Sequence, residues 1–320
     1  MNNTTRHFGV VMDPIESITP AKDTTFAMML EIQRRGHRLS VIGQGDLYLE
    51  QGVARAQATA VTVRDDPNDW YTLGDTEDLA LDTVDVLLMR KDPPFDMEYV
   101  YATYVLDVAE RGGSLVVNRP RALRDLNEKV ATALFPELTP PTLISRDMDR
   151  LRAFAKREGH VVIKPLDGMG GRSIFTIRPG DRNLNVVTET LTDYGQRFAM
   201  AQTFVPEITD GDKRVLLVDG EPVPHMLARV PNDEDGRGNL VMGATADARP
   251  LGDVERHIAD TVGPLLAARG VLFAGLDVIG DKLTEINVTS PTGVREIDRH
   301  FGSNIAGDLC HAIDRHLAAR

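Results

Sequence analysis

Short apolar runs alternate with helix-period segments between residues 8 and 117, and this alternation constrains the fold more than any other feature of the chain. Residues 8–12 read as a buried strand that stops at Asp13-Pro14. Residues 24–35 carry Phe26, Met29, Leu30 and Ile32 at helical spacing and end at Gly36. Strands follow at 39–42 and 84–89, and the second of these runs into the polar segment Arg90-Lys91-Asp92-Pro93-Pro94-Phe95-Asp96. A helix at 98–110, stopped by Gly112-Gly113, leads to a strand at 115–117. Strands and helices alternating at these lengths predict an open parallel sheet. Ligands of such sheets bind beyond the carboxyl ends of the strands, where Asp13 and the 90–96 segment fall.

The pattern changes near residue 120. Residues 123–135 read as a helix carrying Asn127-Glu128-Lys129, and prolines between 136 and 141 break it. A charged helix at 147–158 precedes a strand at 161–163, which leads into KPLDGMGGRS; the chain returns as a strand at 174–177. This predicts a smaller lobe of antiparallel character. A third region has strands near 200–204, 214–218, 224–230, 272–279 and 283–288, with a helix at 256–268. The stretch 231–250 is rich in Gly, Asp, Asn and Arg with little periodicity, which predicts a long functional or disordered loop. A chain of 320 residues exceeds one hydrophobic core. The expected lobes are 1–124, 125–200 and 201–320, the last with a mobile loop at 231–250.

Bulk properties exclude several functions. The net charge of −12 lacks the basic excess of a phosphate-backbone binder, so nucleic acid is not an expected partner. No apolar run approaches bilayer length, and the first residues lack a secretory pattern, so a membrane is not an expected partner and the expected location is the cytoplasm. The single cysteine, Cys310, rules out an intrachain disulfide. It sits in an apolar-periodic tail with Ile305, Leu309, Ile313 and Leu317, which predicts a buried helix cysteine rather than a catalytic thiol. Only seven of the 36 basic residues are lysine, so a lysine inside a motif stands out. A compact ammonium suits phosphate as a point charge.

Four constellations carry chemistry. Lys164-Pro165-Leu166-Asp167-Gly168-Met169-Gly170-Gly171-Arg172-Ser173 follows a strand. Its glycines let backbone N–H groups approach phosphate oxygens, though an ordinary hairpin loop also needs glycine. It lacks the Gly-Lys-Ser/Thr of a Walker loop. Glu285 and Asn287 lie two apart on one strand and so share a face, and Asp277 lies on the preceding strand. This is a small set of oxygen donors, as Mg²⁺ on nucleotide phosphates prefers; incidental carboxylates on a surface hairpin are the alternative. A two-residue turn pairing Ile279 with Lys282 would put Asp277 and Glu285 on opposite faces. A loop one residue longer would set them opposite each other, so a shared metal site predicts the odd-length register. Arg229 and the loop residues Arg237-Gly238-Asn239 suit clamping a carboxylate or stabilising a transferring phosphoryl group, although spacing alone favours a solvated charged loop. Gln202-Thr203-Phe204-Val205-Pro206 reads equally as a hinge offering backbone groups to a purine and as a plain core strand.

Taken together, these blocks resemble the ATP-grasp superfamily and, within it, the bacterial glutathione synthetases. The resemblance runs through VMDPI (11–15), MRKDPPFD (89–96), VNRPRALRDLNEK (117–129), KPLDGMGG (164–171), DGDKRVLLVDGEPVPH (210–225), RGNL (237–240) and GLDVIGDKLTEINVTSPTGVREI (275–297). It implies an α/β chain: an N-terminal parallel-sheet, Rossmann-like domain followed by the two α+β lobes of an ATP-grasp fold. It implies that Lys129 and Lys164 bind phosphates, that Gly168, Gly170 and Gly171 form a small lid, and that Gln202, Thr203, Phe204, Val205 and Asp212 hold the nucleotide. Asp277, Glu285 and Asn287 would ligate Mg²⁺, with Mn²⁺ as an alternative. Asp13, Arg90, Arg229 and Ser290 would bind substrate, and Arg229 and Arg237 would serve catalysis, Arg237 from a larger mobile loop. The implied reaction activates the carboxylate of γ-glutamylcysteine with ATP as an acyl phosphate and passes it to glycine. The implied assembly is a homotetramer, and the alternative is another ATP-grasp carboxylate–amine ligase. The chain has Gly243-Ala244 where the family often has Gly-Gly, and Arg172 at a lid position that varies.

Overall fold

The structure is a computed structural model that describes residues 5–169, 172–231 and 245–320. Gly170, Gly171 and Arg237 therefore lie outside the described residues. The first sheet contains β1 (His7–Val11), β2 (Arg38–Ile42), β3 (Leu47–Glu50), β4 (Val53–Val63), β5 (Tyr71–Ala80), β6 (Val86–Met89) and β7 (Leu115–Val117). Their order is β3-β4-β2-β1-β6-β7, with β5 on the open side of β4. The expected parallel sheet holds for β2-β1-β6-β7. Strands β3, β4 and β5 extend it with antiparallel pairings that the sequence reading left unassigned. The inward positions of β4 include Ala54, Ala56 and Ala58, which give little apolar contrast, and β5 is exposed along most of its length.

Two helices follow strand ends in this sheet, and an aspartate caps each. Asp23 accepts from the Phe26 amide at 2.6 Å to start α1 (Thr24–Arg34), and Asp96 accepts from Tyr99 at 2.9 Å to start α2 (Met97–Gly112). Because β1 and β6 run parallel with Val11 beside Met89, Asp13 and Arg90 emerge next to each other at the carboxyl ends.

The expected helix at 123–135 is instead two pieces, α3 (Pro120–Asp125) and a 3-10 turn at Val130–Leu134. Asn127 makes the break. Its Oδ1 accepts from the amides of Lys129 (3.1 Å) and Val130 (3.0 Å), and its Nδ2 donates to Leu166 O at 3.1 Å. Such local side-chain bonds compete with helix continuation. Here they turn Lys129 toward the loop after Lys164.

The second sheet is antiparallel, in the order β10 (Phe175–Ile177), β9 (Val161–Pro165), β11 (Ala199–Thr203), β8 (Thr142–Ser145). Helices α4 (Met148–Glu158) and α5 (Leu184–Thr192) close a separate core over it, built on Leu151, Phe154, Ile163, Val187 and Ala201. The strand expected to open the third region is thus β11 of this sheet, and a lobe boundary at residue 200 would cut it. Pattern alone shows that a strand is present but not which sheet it joins.

The third sheet is β14 (Thr245–Pro250), β13 (Glu221–Val230), β12 (Asp212–Val218), β15 (Phe273–Ile279), β16 (Lys282–Asn287), antiparallel throughout. Of the loop expected over 231–250, the last six residues instead form the edge strand β14, with Arg229 opposite Ala246. Polar composition hid an edge strand that needs few buried side chains. Helices α6 (Asp253–Ala268), α7 (Val294–Phe301) and α8 (Ile305–Ala318) complete this part. Val11, Leu87 and Val116 share one apolar cluster with Val215, Leu276 and Ile286, so the first and third sheets are cored together. Asn118 welds the same junction through hydrogen bonds to Leu272, Phe273 and Val288. Among the described residues no helix is long and apolar enough to cross a membrane.

Candidate active site

All three sheets border one cleft of about 1320 Å³. Its lining includes Asp13, Arg90 and Ser290; Lys129, Lys164 and Gly168; Gln202, Thr203, Phe204 and Val205; and Asp212, Arg229, Asp277, Glu285 and Asn287. Every site residue expected from sequence that falls within the described residues is therefore at this cleft.

At its centre two lysines converge on one carboxylate oxygen. Lys164 Nζ, from β9, lies 3.3 Å from Glu285 Oε1, and Lys129 Nζ lies 3.5 Å from the same atom. Lys129 also pairs with Glu128 and donates to Gly168 O at 2.7 Å. Glycine at 168 is required by space, since a Cβ there would meet Pro165 Cγ at 2.6 Å. Burial works against the Glu285 charge, but the lysines outweigh it and hold its carboxyl below the usual range. Burial likewise opposes the Lys129 charge, and Glu285 and Glu128 outweigh it, so its ammonium is raised.

Beside this group is a second charged network. Arg214 Nε donates to Asp277 Oδ1 at 2.6 Å, and Arg229 reaches Asp277 Oδ2 at 3.0 Å and Asp212 Oδ2 at 2.6 Å. Burial raises Asp277, and Arg214 and Arg229 overcome it to hold the carboxyl well below its ordinary range. Asp212 goes the other way. Burial, with the like charges of Asp277 and Glu285, pushes it up to about 7 despite Arg229.

The turn between β15 and β16 has two residues, not the longer loop that the metal-site reading expected, and Ile279 pairs with Lys282. Asp277 nevertheless pairs with Glu285, because the register shifts between Asp277 and Val278. Asp277, Glu285 and Asn287 therefore share a face. Asn287 Nδ2 donates to Asp277 Oδ2 at 3.3 Å, which leaves its amide oxygen for a ligand. Asp212 Oδ1 is shielded with no hydrogen-bond partner among the described residues. Among those residues no three His, Cys, Asp or Glu side chains gather into a metal-holding group. Two carboxylates and an amide oxygen instead form a partial set of hard donors, which fits a divalent cation sharing its shell with phosphates.

At the substrate end, Arg90 is buried with neutral partners: Thr25 Oγ1 at 3.1 Å, Pro291 O at 3.0 Å and Thr289 O at 3.5 Å. Burial lowers its pKa to about 10. Ser290 Oγ donates to Arg90 O at 3.3 Å, and Asp13 is held by Lys91 at 2.9 Å. At the opposite lobe, Phe204 stacks on His160 with ring centroids 4.0 Å apart, and Gln202 Nε2 donates to Thr142 Oγ1 at 3.0 Å.

The model of the prokaryotic glutathione synthetase N-terminal domain matches residues 7–124, and that of the prokaryotic glutathione synthetase ATP-grasp domain matches residues 128–302. The chain belongs to the prokaryotic glutathione synthetase family. A glutathione synthetase of Vibrio cholerae serotype O1 is 55% identical over 97% of this chain and 98% of that protein. One of Pseudomonas syringae pv. tomato is 56% identical over 98% of each. Among solved structures, D-cycloserine synthetase DcsG superposes with a TM-score of 0.67 at 13% identity, covering 97% of this chain and 99% of that one. D-alanyl-alanine synthetase A of Vibrio cholerae superposes at 0.61 and 11% identity, covering 99% and 100%. These two share the fold of this chain, whose ATP-grasp class is the one expected from the sequence.

In this member of the glutathione synthetase family, sequence reasoning passed over Arg214, Glu128 and His160, all at the cleft. Arg214 had a signal: Asp212 and Arg214 are charged residues two apart in a strand that is otherwise apolar from Val215 to Val218, so they share a face.

Proposed function

We propose that this cleft joins γ-glutamylcysteine to glycine at the expense of ATP, through an acyl phosphate, releasing glutathione, ADP and phosphate. The chain is an ADP-forming carboxylate–amine ligase. The observation that carries its active centre is the convergence of Lys129 and Lys164 on Glu285 Oε1. Two buried ammonium groups facing one carboxylate are arranged to accept further anionic oxygens, as a polyphosphate provides.

In this reading the purine lies against 202–205, where β11 ends, and Lys129, Lys164 and the backbone around Gly168 bind the phosphates. A divalent cation held by Glu285, Asn287 and Asp277, Mg²⁺ with Mn²⁺ as its substitute, would offset phosphate charge. The cysteinyl carboxylate attacks the γ-phosphorus in line and ADP leaves; here positioning and electrostatics do most of the work. Glycine's amine attacks the acyl carbon, phosphate departs, and Arg229 stands near the oxyanion that develops. Arg90, Ser290 and Asp13 orient the dipeptide. Arg237, outside the described residues, is assigned to the loop that keeps water from the acyl phosphate.

The test is ADP release with ATP, Mg²⁺, γ-glutamylcysteine and glycine, omitting each in turn. Dependence on both amino substrates, with glutathione formed, supports the assignment. Release with a different carboxylate–amine pair and not with this one would make it another ATP-grasp ligase. We further place the chain in the cytoplasm as a homotetramer, in keeping with its family resemblance. Sedimentation at any mass other than four chains would reject the tetramer.

A further inference from the structure

We propose that Glu296, on α7, receives the α-ammonium group at the γ-glutamyl end of the substrate and so makes that group a requirement for tight binding. The assignment rests on the γ-glutamylcysteine reading above. Glu296 lines the cleft from the first turn of α7. Its Oε2 is shielded from solvent and has no hydrogen-bond donor among the described residues. A carboxylate oxygen in that state has lost hydration without replacement, and an arriving ammonium supplies both the charge and the N–H donors it lacks. A first-turn glutamate also complements a helix dipole. That accounts for its place on the helix but leaves the shielded oxygen without a donor.

Its neighbours fit the same ligand. The Val294 amide of α7 donates to Thr24 Oγ1 at 3.4 Å, and the next residue, Thr25, accepts from Arg90 Nε at 3.1 Å. Glu296 and Arg90 thus line the same cleft, where Arg90 presents a buried guanidinium with neutral hydrogen-bond partners. A γ-glutamyl end carries an α-carboxylate and an α-ammonium on one carbon, chemistry that a guanidinium such as Arg90 and a carboxylate such as Glu296 can serve; Lys22 lines the same cleft and acts on Glu296 by charge. Burial raises the Glu296 carboxyl, against the hydrogen bond of its own backbone amide and the charges of Arg299, Lys22 and Arg295. The other acids there are already served. Asp13 is bound by Lys91 at 2.9 Å and by the Asp92 amide at 3.0 Å; Asp23 caps α1; Asp92 lies on the exposed rim, though partial burial raises its carboxyl.

The experiment compares γ-glutamylcysteine with glutarylcysteine, the same molecule without the α-amino group, in steady-state ligation to glycine. Wild type should show a KM roughly 10- to 100-fold higher for glutarylcysteine, the worth of a hydrogen bond to a charged group. Glu296→Gln should raise KM for γ-glutamylcysteine by a similar factor and leave KM for glutarylcysteine and ATP unchanged, so that discrimination collapses. Equal KM values in wild type, or full discrimination retained in Glu296→Gln, would overturn the assignment. So would loss of discrimination in Asp92→Asn with none in Glu296→Gln. Should Glu296→Gln fail to fold, Glu296→Asp replaces it, and unchanged discrimination there counts equally against the assignment. A wild type that does not ligate γ-glutamylcysteine at all would remove the parent reading together with this one, whereas equal use of both dipeptides would remove only this one.

Discussion

Asp277 stands directly opposite Glu285 although the turn that joins their strands should separate them. Pairing Ile279 with Lys282 and continuing regularly would set Asp277 against Thr284 and send Glu285 to the other face. Thr284 is an extra residue between Leu283, which faces Val278, and Glu285, and its hydroxyl donates to Asp277 O at 3.0 Å. A β-bulge of this kind re-aims the side chains that follow it, and bulges recur beside functional sites. The expected pairing of the two acids is therefore present, but its cause is a bulge rather than a longer turn.

Glu285 is the carboxylate that both lysines share, so Glu285→Gln is expected to be the most damaging conservative change at the cleft. ADP release at saturating substrates should fall roughly 100-fold or more. The melting temperature without ligand should fall too, because Lys129 and Lys164 are then buried with one fewer counter-ion. Turnover close to wild type at ordinary Mg²⁺ would take Glu285 out of the reacting centre.

Lys164→Met keeps the length of the apolar stem and removes the ammonium. Nucleotide affinity, read by calorimetry with ADP and Mg²⁺, should weaken roughly 10- to 100-fold. Unchanged affinity would mean that Lys164 serves only its ion pair with Glu285.

Asn118 tests the weld between the first and third sheets. Its Oδ1 accepts from the Leu272 and Phe273 amides at 2.8 and 2.9 Å, and its Nδ2 donates to Phe273 O and Val288 O, both at 2.7 Å. Asn118→Ala strands buried backbone groups at the start of β15 and just beyond the end of β16. Urea unfolding should show a loss of about 2–4 kcal/mol. A change under about 0.5 kcal/mol, the range of ordinary surface substitutions, would show that water or local relaxation replaces the amide.

How much of this was legible in the sequence depended on how local the determinant was. Strand and helix periodicity located β1, β6, α1 and α2, because buried apolar residues recur at fixed spacing. The same logic failed for β4 and β5, where alanines and exposed residues carry a sheet edge. It also failed for β14, where a polar edge strand read as loop. Asn127 broke a helix with side-chain bonds that periodicity does not encode. The partnership of Asp277 with Glu285 followed from demanding that one ion see both, while the bulge that achieves it left no mark beyond a threonine. Glu296 left none either, since its missing donor exists only once α7 is packed beside the cleft.

The last prediction concerns pH and Asp212. Burial and the charges of Asp277 and Glu285 push its carboxyl up to about 7, against Arg229. An unfolded aspartate titrates near about 3.9, so between roughly pH 4 and 7 the folded chain holds a proton that the unfolded chain has released. Stability from that proton is complete below the unfolded value and is lost as pH rises through the folded one. Above that, an ionised carboxylate is buried with Oδ1 lacking any donor among the described residues. Asp212→Asn keeps the oxygen that accepts from Arg229 and carries no charge at any pH. The variant should therefore gain on wild type between pH 5 and pH 8 in urea unfolding, whatever its absolute stability. A difference that does not change with pH, or that moves in favour of wild type, would mean that Asp212 is ionised throughout and that Arg229 holds it so.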